Sequence, residues 1–67
     1  MRIPKYATLL LGRNCKFPVN KIHYKTSQVT LQEKEKMFNT VSIKDVIFDF
    51  SDFSEQEQKR FMSLFND

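Results

Sequence analysis

The sequence predicts an α+β domain: a small antiparallel β-sheet of about four strands with a carboxy-terminal α-helix packed on one face. Three observations carry this expectation. Apolar and polar residues alternate over 21–25 and 29–32, and again from Val41, which is the period of a half-buried strand. Ser54 and Glu57 stand at capping-box spacing. Phe61, Leu64 and Phe65 then recur at helical spacing, with Met62 beside them. The 67 residues are read as a single small domain. So short a chain buries only about 60% of its unfolded surface, so self-association or a partner would help to steady its core.

The elements follow in order. Tyr6 to Leu11, "YATLLL", is a short apolar run that fits a buried strand and ends at Gly12, the only glycine. "GRN" at 12–14 supplies turn chemistry. Cys15 to Val19 resumes in extended form, and Pro18 confines it to an edge or an irregular position. In the next strand, Lys21 to Lys25, Ile22 and Tyr24 share one face while Lys21, His23 and Lys25 share the other. "TSQ" at 26–28 turns the chain into Val29–Gln32, making a hairpin.

"LQEKEKMF", Leu31 to Phe38, admits two readings. Thr30 and Glu33 have capping-box spacing ahead of good helix formers, yet a charged strand end or a loop fits as well. Val46, Phe48 and Phe50 line one face of a later strand, and Ile47 on the other side implies cover on both faces. A helix from about Glu55 to Phe65 closes the chain. The expected core is Ile22, Tyr24, Val29, Leu31, Phe48, Phe50, Phe61, Leu64 and Phe65.

The segment "VIFDFSDFSEQEQKRFMSLF", residues 46–65, resembles the last strand and helix of a PilZ domain. That family's arginine-rich switch and D-x-S-x-x-G motif, which bind cyclic di-GMP, do not occur in this chain. The resemblance therefore implies a local strand-to-helix arrangement and no ligand.

Charge is divided unevenly. Residues 1–32 hold six basic side chains and no acid, a charge of +6; residues 33–67 hold five basic and eight acidic ones, a charge of −3. A basic front half suggests an anionic partner. The alternative is that the two halves attract each other, within one molecule or between copies.

Catalytic and metal-binding readings find little support. His23, the single histidine, stands between lysines and reads as a surface residue with no orienting partner. Cys15 lies between Asn14 and Lys16, close to Arg13, but no base or oxyanion site accompanies it, so it reads as a small, partly buried apolar residue. Asp45, Asp49 and Asp52 lack the glycine and the spacing of a calcium loop. A single glycine also leaves no phosphate-cradling loop. No catalytic residue, metal ligand or cofactor is expected.

What remains is binding through Arg13, Lys16, Lys21, His23 and Lys25. The expected function is a non-enzymatic regulator or inhibitor that binds the acidic surface of a larger protein. The alternative is a nucleic-acid-binding protein whose basic face contacts phosphates; strand parity, which turns Tyr24 away from the lysines, argues against a stacking platform. A homo-oligomer is compatible with either. One cysteine, no export pattern and no apolar run of about 20 residues point to a cytoplasmic protein without membrane contact. The wealth of Lys, Asn, Ile and Phe fits an AT-rich genome or its mobile elements.

Overall fold

A computed structural model describes residues 2–11 and 15–65. The elements are β1 (Tyr6–Leu9), β2 (Lys16–His23), β3 (Gln28–Lys34), β4 (Met37–Ser42), a 3₁₀ turn (Ile43–Asp45), β5 (Val46–Phe48) and α1 (Glu55–Ser63). They form the expected α+β domain, with five strands in one sheet of order β4-β3-β2-β1-β5. Every neighbouring pair is antiparallel.

β2 is the hinge of the sheet. Its first part pairs with β1, with Lys16 opposite Thr8 and Pro18 opposite Tyr6. From Val19 onward it pairs with β3, and the register shifts between Val19 and Lys21. Asn20 is the extra residue of this bulge. A bulge bends its strand and increases the local twist, which suits a strand that passes from one partner to another. Pro18 lies inside a strand that is not an edge but next to its irregular stretch, the second of the two positions expected for it. Its missing N–H does no harm, because Val19 donates to Lys5 on the β1 side and the described pairing with β3 begins only at Val19.

The short 3₁₀ turn carries the chain from β4, at one edge, to β5, at the other. The sheet therefore curls until its edges approach at that end, where Leu9, Leu11, Val41 and Asp45 line a common hollow. The concave side holds the core: Ala7, Ile22, Val29, Leu31, Val46 and Phe48, together with Phe61 from α1. Phe61 is fully buried and meets the rings of Phe48, Phe50, Phe53 and Phe65 edge-on at centroid distances of 5.2–6.4 Å, the geometry that ring quadrupoles favour.

The capping box forms as expected. Glu57 N–H donates to Ser54 Oγ, and Ser54 N–H donates to Glu57 Oε1. The ambiguous Leu31–Phe38 segment is a strand hairpin: Glu35 and Lys36 make its turn, a second register shift lies between Gln32 and Lys34, and Gln32 Nε2 donates to the Glu35 carbonyl. Thr30 and Glu33 do not cap a helix. Their side chains bond to His23 and Thr40, and to Asn39, respectively.

Several expected core positions lie elsewhere. Leu64 is the exposed C-cap of α1, one residue past the helix end at Ser63. Tyr24 remains 42% exposed in the β2–β3 turn, stacking on Phe65 at 5.6 Å. Leu10 and Leu11 are exposed because β1 ends at Leu9, and Ile47 is 59% exposed because no described residue covers it on the convex side of β5. Ala7 and Val46, not among the expected core residues, are buried in it.

Candidate partner-binding surface

Alternation around the buried residues fixes the convex surface. Ala7 and Phe48 face inward, so Tyr6, Thr8 and Ile47 face outward, with Thr8 between Ile47 and Lys16 in the ladder. Ile22 and Val29 face inward, so Lys21 and His23 face outward beside Thr30 and Gln28. Strict alternation along β2 would put Lys16 and Lys21 on opposite sides. The bulge at Asn20 brings them to the same side, about 17 Å apart along the strand at about 3.3 Å per residue.

The remaining expected contact residues are placed differently. Lys25 sits in the turn 24–27 and not on the strand with Lys21 and His23, because β2 ends at His23. Arg13 lies outside the described residues. Lys16 Nζ is bonded to Asp49 Oδ2 at 3.1 Å. That contact, followed by the Ser51 N–H, holds the Asp49 carboxyl below its ordinary value. Lys16 is therefore partly neutralised, and Lys21 is the outward lysine of β2 that makes no described ion pair.

His23 is half-buried in a polar chain across three strands. Its Nε2 lies 2.7 Å from Thr30 Oγ1, which lies 2.7 Å from Thr40 Oγ1 on β4. The chain stiffens the centre of the convex surface and holds the imidazole in place. Cys15 is exposed, not partly buried as expected.

Sequence reading did not anticipate the aromatic residues of this surface. Tyr6 is 44% exposed and Phe38 is 54% exposed, both with outward parity. The position of Tyr6 before the inward Ala7 was the available signal, but it was submerged in the apolar run that followed. Of all residues assigned to strands, Glu33 alone is acidic, and it is bonded to Asn39 near the hairpin tip.

A cleft of about 100 Å³ lies where the amino-terminal segment meets the loop before α1. Of its charged lining, Arg2 is engaged by Glu57 and Asp49 by Lys16, while the side chains of Lys5 and Asp52 make no described ion pair. Among the described residues no group of three or more His, Cys, Asp or Glu could hold a metal ion, and no helix is long and apolar enough to cross a membrane. Comparison with known proteins gave no matching family model, no matching curated protein and no matching solved structure. Residues 46–65 form a strand followed by a capped helix.

Proposed function

We propose that this is a non-enzymatic regulatory or inhibitory protein that binds the acidic surface of a larger protein through the convex side of its sheet. The observation that supports this reading is the company Lys21 keeps. It lies on a surface that no described element covers and that also exposes Tyr6, Phe38 and Ile47, and no strand residue there carries an acid. Aromatic anchors within a polar, positively charged surround are what protein interfaces enrich. Lys21 and Lys25 would speed encounter with an acidic partner, and the exposed rings would supply the buried contact.

Tyr6 and Phe38 also favour a second reading, in which bases of a single-stranded nucleic acid stack on the outward rings while lysines contact phosphates. Two measurements separate the readings. A nuclease-treated pull-down from host extract should retain a protein partner, and Tyr6→Ala or Lys21→Glu should lose it. Titration with labelled single-stranded and duplex oligonucleotides should show no binding at about 50 mM salt, where phosphate contacts are strong. Oligonucleotide binding that collapses by about 200 mM salt and disappears in the Lys21→Glu, Lys25→Glu double variant would replace the first reading with the second.

A further inference from the structure

The free edge of β4 carries an inference independent of that functional reading. Edge strands expose unpaired N–H and C=O groups and are normally blunted by lysines, prolines or bulges. β4 reads Met-Phe-Asn-Thr-Val-Ser and has none of these: no charge and no proline, and the nearby register shift puts its extra residue, Glu33, on β3. Met37 and Phe38 are both more than half exposed on it.

The hydrogen-bond phase identifies which groups are open. Ile43 N–H donates to the Ser27 carbonyl in line with the β3–β4 ladder. Bonded pairs in an antiparallel ladder recur every second residue. Val41 and Asn39 therefore bond to β3, while Phe38, Thr40 and Ser42 turn their N–H and C=O groups away from the sheet. None of the described hydrogen bonds between elements uses those three amides.

This pattern is complementary to itself. Two copies of β4 related by a two-fold axis at Thr40 would set Thr40 against Thr40 of the other copy, and Phe38 against Ser42 on either side. Every outward N–H in the stretch would then meet an outward C=O. The paired residues have the same parity, so the convex surfaces of the two copies would join. Cross-strand threonine pairs are favourable, and an uncharged strand meets its own copy without like-charge repulsion within the paired stretch.

We propose that β4 pairs antiparallel with β4 of a second copy of this chain, centred on Thr40, to give a continuous ten-stranded sheet. The same register brings the hairpin turn that carries Lys36 near the 3₁₀ turn that carries Lys44 of the other copy, just outside the paired stretch. Dimerisation should therefore tighten as salt rises, because screening weakens that repulsion. Binding to an acidic protein or to nucleic acid would weaken instead, so failure of this proposal and failure of the functional reading are distinguishable.

The test is sedimentation of the full chain across a range of protein concentrations, with amide hydrogen exchange at the two extremes. A monomer–dimer equilibrium is expected, tighter in high salt. The amides of Phe38, Thr40 and Ser42 should become protected only at high concentration, while those of Asn39 and Val41 should be protected at both. Thr40→Lys, which places like charges on the axis, should weaken the dimer about tenfold or more. Thr40→Pro, which removes an outward N–H that β3 does not use, should weaken it too. A wild-type chain monomeric throughout would overturn the proposal, as would a dimer in which those three amides exchange equally at both concentrations.

Discussion

Arg2 and Glu57, 55 positions apart, clamp the amino-terminal segment to the first turn of α1. Arg2 Nε and Nη2 donate to the Glu57 carboxylate at 2.9–3.1 Å, and Nη2 also donates to the Asp52 carbonyl. The guanidinium lies over the Phe53 ring, 5.0 Å from its centroid. Glu57 thus completes the capping box and anchors the clamp with one carboxylate.

That double duty predicts an acid-side stability loss. The Ser54 N–H first, and Arg2 after it, hold the Glu57 carboxyl below its ordinary value. A group depressed in the folded state stabilises it above the unfolded-state pKa, and the gain is lost as pH falls through the folded one. Melting temperature should therefore fall as pH drops below about 4.3, the usual glutamate value. The decline should be shallower in Arg2→Ala and shallower still in Glu57→Gln. Asp49 is shifted in the same direction by Lys16, so combining Glu57→Gln with Asp49→Asn should give the flattest profile. Parallel profiles for all variants would remove the clamp from the account.

The helix should tolerate truncation at one apolar position and not at another. Phe61 is fully buried among four rings, and Leu64 is exposed at the C-cap. Phe61→Ala should cost about 3–5 kcal/mol, most of the roughly 5 kcal/mol available to so small a domain. Leu64→Ala should stay within about 0.5 kcal/mol of wild type, as surface changes do. Thermal melts followed by circular dichroism decide it. A sharp, near-native transition in Phe61→Ala would refute the packing described.

The two positions also show what the sequence made legible. Helix, cap and apolar stripe were readable because the signals are local, but which stripe residue meets the sheet depends on where α1 stops. "LQEKEKMF" was ambiguous for the opposite reason. Its glutamates and lysines favour a helix locally, yet Leu31 is fully buried between β2 and β4 and the cross-strand partners prevail. The convex surface was half legible. Parity placed Lys21 and His23 correctly within their own strand. Relating them to Lys16 required the bulge at Asn20, for which the sequence has no marker. Tyr6 and Ile47 were hidden in apolar runs, where alternation cannot be read.

Ser27 offers a gain in stability. It ends the β2–β3 turn at φ 53°, the one non-glycine residue with positive φ among those described. Its carbonyl accepts the Ile43 N–H that docks the end of β4. The left-handed conformation costs an ordinary residue about 1–2 kcal/mol, against roughly 0.5–1 kcal/mol for the extra freedom glycine loses on folding. Ser27→Gly should therefore stabilise by about 0.5–1 kcal/mol, and Ser27→Val should destabilise. Chemical denaturation of the three proteins measures the order, and a less stable glycine variant would contradict it.

The bulge itself makes the last prediction. Asn20 is exposed, and Asn20 and Lys21 together oppose the place that Thr30 alone occupies on β3. Deleting Asn20 leaves Val19 and Ile22 inward and Lys21 and His23 outward, so the ladder closes with every face preserved and only the extra twist lost. That variant should fold with a loss of about 1–2 kcal/mol, each kcal/mol lowering the melting temperature of a domain this size by about 4–8 °C. Deleting Pro18, two residues earlier, instead joins Phe17 to Val19 and forces one of two inward side chains onto the convex surface, because a one-residue slip exchanges the faces of a strand. The Pro18 deletion should not fold. Two deletions in one strand thus separate a residue that sets twist from one that sets parity, and equal melting temperatures for both would deny the bulge at Asn20.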